Sequence, residues 1–222
     1  MRVVVFVYRV FRDFFQILSR LIASLDATTH KDTAMLKSLW LMLFTLPLLW
    51  GCVNASTPAP APAELRTLVE TIAQRLEIAN DVALSKFYSG KPVQDTDRER
   101  QVITNAESQA PTYHLEKDAV RVFMTSQIEA NKIVQYGRIA QWHDHGHAPA
   151  QPAADAMAGI RERLDTLQPR MMKQFAAFQP WHKNNDCSRW VETEILRQTA
   201  DPITASALQR ATHDLCQTRS KS

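Results

Sequence analysis

Two cations stand where a helix should be apolar. Leu68, Ile72, Arg75, Ala79, Val82 and Lys86 follow one another at alternating spacings of four and three, the spacing of a single buried helix face. Eleven residues separate Arg75 from Lys86, and at about 100° per residue the two side chains point within about 20° of each other, three turns apart. Charges facing a core cost several kcal/mol (~3–5) when left unpaired. Three explanations are open. The long stems can snorkel to water, internal carboxylates such as Asp95 or Glu99 can pair with them, or the cations await an anionic ligand.

Other residues extend this pattern. Asp95, Arg98 and Glu99 form a D-x-x-R-E run, Asn131 and Gln135 stand four apart, and Arg170 sits in the segment LQPRMM. Taken singly, Arg98 and Glu99 would be a solvated helix face and Gln135 a surface amide. Lys132, beside Asn131, has no evident role and reads as solvated. There is no Gly-rich phosphate loop and no serine or cysteine nucleophile motif. The run HDHGH contains His143, His145 and His147, but residues alternating by two share no helix face, and Gly146 and Pro149 put the run in a loop. It is read as an exposed polar loop, and no metal or cofactor is expected.

The elements that must position these residues are helical. Only 5 glycines occur in 222 residues, and periods of 3.6 persist far longer than any alternation, which predicts an all-α single domain of about six helices. The first runs from about Ala63 to Tyr88 and is ended by Gly90-Lys91-Pro92. The second runs from Asp95 or Thr96 to Ala110, the third from about Glu116 to Trp142. A loop over 143–152 follows, then a fourth helix from Ala153 to Phe178 with a kink or break near Pro169. Shorter helices over 187–199 and 202–216 complete the domain.

The chain ahead of Glu64 has another character. Met35, Lys37 and the apolar run Leu39–Cys52 have the layout of a secretory signal, too short at about a dozen residues to span a bilayer. Cleavage has two possible exits: Leu49-Trp50-Gly51-Cys52 resembles a lipoprotein box with Cys52 lipidated, and Val53-Asn54-Ala55 offers ordinary cleavage. The organisation expected is thus residues 1–34 as an upstream mis-start or leader, 35–55 as signal, 56–63 as a Pro/Ala linker, and 64–222 as the folded domain. Residues 1–52 hold six Lys or Arg and three Asp or Glu, leaving 20 of each sign in the rest. A net charge of zero excludes a general nucleic-acid binder. Contact with a membrane is expected only through a possible lipid anchor at Cys52. With that residue assigned to the signal, Cys187 and Cys216 remain, and an even count in an oxidising compartment favours a disulfide over two buried thiols.

The segment Arg75–Ile103, RLEIANDVALSKFYSGKPVQDTDRERQVI, resembles the all-helical (type II) chorismate mutases, particularly their exported branch. QIEANKIVQYGRIAQW, Gln127–Trp142, and LQPRMM are similar to further active-site segments of that branch, and the trailing cysteine pair is similar too. The resemblance implies an isomerase that converts chorismate to prephenate, a step of aromatic amino acid biosynthesis, carried out in the periplasm or outside the cell by a homodimer. It implies that Arg75 and Arg170 grip the substrate carboxylates, and that Lys86 and Gln135 bond the ether oxygen. Glu99, with Asp95 nearby, would meet the ring hydroxyl, Arg98 would add positive potential, and Asn131 would line the site. The alternative is a non-catalytic exported helical protein that binds a small dianion in the same pocket.

Overall fold

The structure is a computed structural model and describes residues 59–216. The leader, the signal and its Cys52 and Ala55 exits, the first residues of the linker and the last six of the chain lie outside the described residues. Among the described residues there are six α-helices: α1 (Ala63–Ser89), α2 (Thr96–Gln109), α3 (Lys117–His145), α4 (Ala156–Phe178), α5 (Cys187–Gln198) and α6 (Pro202–Thr212). Short 3₁₀ turns, Ala110–Tyr113 and Gln179–Trp181, follow α2 and α4. Among the described residues no helix is long and apolar enough to cross a membrane.

The long helix α1 is the axis of the assembly. It packs against α3 and α4 and also meets α5 and α6, while α2 rests on α3. Its apolar stripe supplies Leu65, Leu68, Val69, Ile72, Leu76 and Ala79 to a core completed by residues such as Met124, Phe175, Phe178 and Leu208. Phe123 of α3 and Phe175 of α4 stack with ring centroids 4.1 Å apart. A second, smaller apolar cluster joins Ile78 and Val82 of α1 to Ile160 of α4. It lies towards the C-terminal half of α1, where the stripe admits cations.

Helix ends follow local chemistry. Gly90, at φ 66°, takes the left-handed conformation after Ser89, and its N–H bonds the Lys86 carbonyl. Gly146, at φ 71°, plays the same part for α3. This corrects the loop boundary read from the sequence: His143 and His145 belong to the last turn of α3, because the glycine that seemed to open the loop is the cap that closes the helix. Among the described residues no group of three or more His, Cys, Asp or Glu side chains is disposed to hold a metal. The fourth helix starts three residues later than expected and continues unbroken through Pro169. Proline removes one hydrogen bond there, to the carbonyl of residue 165, without ending the helix. Cys187, at the start of α5, is bonded to Cys216, with Cα atoms 5.8 Å apart.

Candidate active site

A cavity of about 500 Å³ opens between α1, α2, α3 and α4. From α1 it receives Arg75, then Val82 two turns on, then Ser85 and Lys86 one turn further, so the cations of the stripe do face a shared space. Arg75 is only 7% exposed, and its Nε is buried without a hydrogen-bond partner. Burial lowers its pKa from the ordinary value to about 10, with the field of Asp165 acting in the opposite sense; the guanidinium stays protonated at neutral pH. Lys86 is half-buried. Burial pulls its pKa below the usual lysine range, against the opposing fields of Asp95 and Glu99. Its Nζ donates to the carbonyl of Val93 at 2.6 Å, which ties the loop after α1 to the rim of the cavity.

The start of α2 forms the opposite wall. Asp95 is the N-cap, its carboxylate accepting from the Arg98 N–H at 3.1 Å, and Glu99 reaches back to accept from the Asp95 N–H at 3.2 Å. Two of the N–H groups that no helix bond satisfies are thereby taken up reciprocally. The D-x-x-R-E run therefore has a folding role alongside any chemical one, since its two carboxylates set the direction of the helix that carries Arg98. Arg98 lines the cavity from an exposed position and donates to Gln101 Oε1 at 2.8 Å.

Asn131, Lys132 and Gln135 of α3 form a third side. Gln135 is 5% exposed; its Nε2 donates to Asn131 Oδ1 at 3.0 Å, and its Oε1 is buried with no partner. An amide nitrogen carries two hydrogens, so one remains for a ligand. Lys132 is not the solvated side chain the sequence suggested. Its ammonium lies 2.7 Å from Glu129 Oε1 and 3.2 Å from Glu99 Oε2. Burial disfavours the Lys132 charge, but hydrogen bonds to Glu129 and Glu99 outweigh it and raise the pKa.

The fourth side departs from expectation. Arg170 does not line the cavity; it is exposed on α4 and donates to Gln74 Oε1. Arg161 lines it instead, alongside Met157, Ile160, Leu164 and Gln168. Nine residues at about 100° each put Arg161 and Arg170 on opposite faces of one helix, so both cannot serve the same site. The signal was present in the spacing of 157, 161, 164 and 168, a stripe beside the more apolar one through Leu164, Leu167 and Met171.

Of the expected site residues, then, the structure brings Arg75, Lys86, Asp95, Arg98, Glu99, Asn131 and Gln135 around one space and leaves Arg170 outside. Among the described residues, Arg75, Lys86, Arg98 and Arg161 make no ion pair, whereas Lys132 makes two. Lys91 also lines the cavity without an ion pair among the described residues, and unpaired cations around a partly apolar space suit a compact anion of more than one charge.

Comparison with known proteins agrees with this geometry. The family profile described as chorismate mutase type II matches residues 66–136. The secreted chorismate mutase of Mycolicibacterium smegmatis is 33% identical over 171 residues, covering 75% of this chain and 92% of that protein. The secreted chorismate mutase of Mycobacterium tuberculosis is 28% identical, over 72% of this chain and 81% of its own. Among solved structures, the chorismate mutase of Burkholderia phymatum superposes with a TM-score of 0.66 at 35% identity, covering 71% of this chain and all of that one. The chain belongs to the type II chorismate mutases. It is an isomerase of that activity, which sets aside the non-catalytic alternative.

Proposed function

We propose that the cavity between α1, α2, α3 and α4 rearranges chorismate to prephenate, outside the cytoplasm, without cofactor or covalent intermediate. The reaction breaks the ether C–O bond of the substrate as a C–C bond forms within the same molecule. No proton is transferred and no nucleophile is needed. What a protein can supply is confinement of the compact, reactive conformer and stabilisation of negative charge that grows on the ether oxygen. Buried Arg75 and, in place of Arg170, Arg161 take the two carboxylates. Lys86 and the free hydrogen of the Gln135 amide donate to the ether oxygen. Glu99 accepts from the ring hydroxyl, with Asp95 behind it as the cap that orients α2. Arg98 adds positive potential and Asn131 holds Gln135.

The observation that carries this reading is the buried, unpaired guanidinium of Arg75 facing the same space as Lys86 and Gln135. Keeping an internal guanidinium without an ion-pair partner costs stability, and an anionic ligand that pairs with it offsets that cost. Export is supported by the Cys187–Cys216 disulfide and by the names of the secreted relatives. The test is direct: purified protein added to chorismate accelerates the loss of its absorbance, with prephenate appearing in equal amount. A cavity that binds chorismate but leaves its rate of rearrangement at the value in buffer sinks the proposal.

A further inference from the structure

Among the described residues, Lys132 is the one cation at the cavity that makes an ion pair. It sits between two carboxylates, Glu129 Oε1 at 2.7 Å on its own helix and Glu99 Oε2 at 3.2 Å on α2, with its side chain only 15% exposed. Glu99 is held at both oxygens, Oε1 by the Asp95 N–H at 3.2 Å and Oε2 by the Lys132 ammonium. Each carboxylate oxygen can accept twice, so a carboxylate fixed in this way still has acceptor capacity directed at the cavity that both residues line. A glutamate has three rotatable bonds. One backbone hydrogen bond at the rim does not hold it in one orientation, and its side chain is 22% exposed, with solvent as the competing environment.

We propose that Lys132 is a positioning residue: by holding Oε2 of Glu99 across the α2–α3 contact, it aims that carboxylate at the ring hydroxyl of the bound substrate. The assignment rests on the reading of Glu99 given above. It separates Lys132 from Arg75, Lys86, Arg98 and Arg161, which meet the ligand's own negative charge. Lys132 instead acts through a neighbour and governs recognition of a neutral group. The discrimination it confers is between a ring that carries the hydroxyl and one that lacks it.

The experiment uses the full chain and two non-reacting probes: a cyclic dicarboxylate ether bearing the ring hydroxyl, and its deoxy counterpart. Calorimetry gives both affinities, and steady-state assays with chorismate give KM and kcat. In the Lys132→Met variant, affinity for the hydroxyl-bearing probe falls about tenfold, as for the loss of a well-placed hydrogen bond to a charged group. KM rises with it, kcat changes little, and the deoxy probe binds as before. Lys132→Arg restores most of the loss. In a Glu99→Gln background the Lys132→Met change has no further effect. If Lys132→Met does not fold, Lys132→Gln carries the same comparison.

Two results overturn the assignment while leaving the proposed reaction standing. An equal loss for both probes makes Lys132 a direct ligand of a carboxylate. A lower Tm with both affinities unchanged makes it only a tie between α2 and α3. A wild-type protein that does not accelerate the rearrangement of chorismate removes the reading of Glu99, and this proposal with it.

Discussion

Two regions around α1 handle buried polarity in opposite ways. Where α1, α3, α5 and α6 meet, away from the cavity, charges are matched. Arg138 forks onto both oxygens of Asp201, at 2.6 and 3.3 Å, and also donates to Asn80 at 2.8 Å. Glu194, 1% exposed, accepts from Arg197 at 3.1 Å and faces Arg66 at 3.8 Å. Ser126 donates to Asp214 at 2.6 Å while accepting from Arg210 at 2.9 Å. At the cavity between α1, α2, α3 and α4, Arg75, Lys86, Arg98 and Arg161 make no ion pair among the described residues, although Asp95, Glu99 and Asp165 share the lining. The lesson concerns sign. Where polar groups complete one another, removing one destabilises the fold and leaves chemistry alone. Where they await a ligand, removing one abolishes chemistry, and the fold is indifferent or gains.

The sharpest break in this comparison is Lys86→Ala. Turnover should fall by about 10² or more, as for loss of a preorganised donor, while Tm stays near the wild-type value because the side chain is only half-buried. Full activity in that variant would remove Lys86 from the site. In the paired region, Asp201→Ala strips Arg138 of its fork and α6 of its cap, since Asp201 also accepts from the Thr204 N–H at 2.9 Å. The expected loss is about 2 kcal/mol in denaturant unfolding, with unchanged turnover per folded molecule.

A paired substitution on α4 sharpens the boundary. Arg161→Ala should raise KM for chorismate about tenfold, the loss of one charge-assisted contact, and Arg170→Ala should change it less than about twofold. The reverse ranking would restore the expectation drawn from LQPRMM. Arg75→Met tests the sign itself. Its folded-state pKa lies near 10, well below the ordinary arginine value, so burying the protonated form opposes folding at neutral pH, and that penalty eases only as pH rises through 10. The variant should lose activity yet melt a few degrees higher, by about 1 kcal/mol of added stability.

The smallest effect expected is that of pH near neutrality. Gln135 donates without titrating, so kcat should be nearly flat from about pH 6 to 8. Activity needs the protonated Lys86 and is lost as pH rises through its folded pKa, which burial holds below the ordinary 10.5. The alkaline fall should therefore begin earlier than for an exposed lysine. A sharp drop just above pH 6 points to a titrating carboxyl and argues against Gln135 as the donor.

Much of this was legible before any coordinates. Arg75 and Lys86 betrayed themselves because a periodic apolar stripe makes any cation on it conspicuous, and Gly90 and Pro92 marked where the helix must end. The resemblance of Arg75–Ile103 to a known family then supplied roles that periodicity cannot. Arg161 was missed because it lies on a helix whose two neighbouring stripes both look acceptable; which one faces the cavity depends on how α4 is rotated against α1. Lys132 was misread for a related reason. A lysine next to an asparagine on a long helix is solvated unless another element approaches it, and the approach of Glu99 comes from a helix 33 residues away in the chain.

Taken alone, the order of residues determined the helices, their glycine caps, the faces they bury and the cations that interrupt one of those faces. These are local properties, set by the 3.6-residue period and by backbone preferences within a few residues. The tertiary structure decided which arginine of α4 shares the cavity, that Lys132 is matched while Arg75 is not, and that His143 and His145 end a helix. Ion pairing and cavity lining depend on the rotation and separation of whole helices, which arise from packing between segments far apart in the chain.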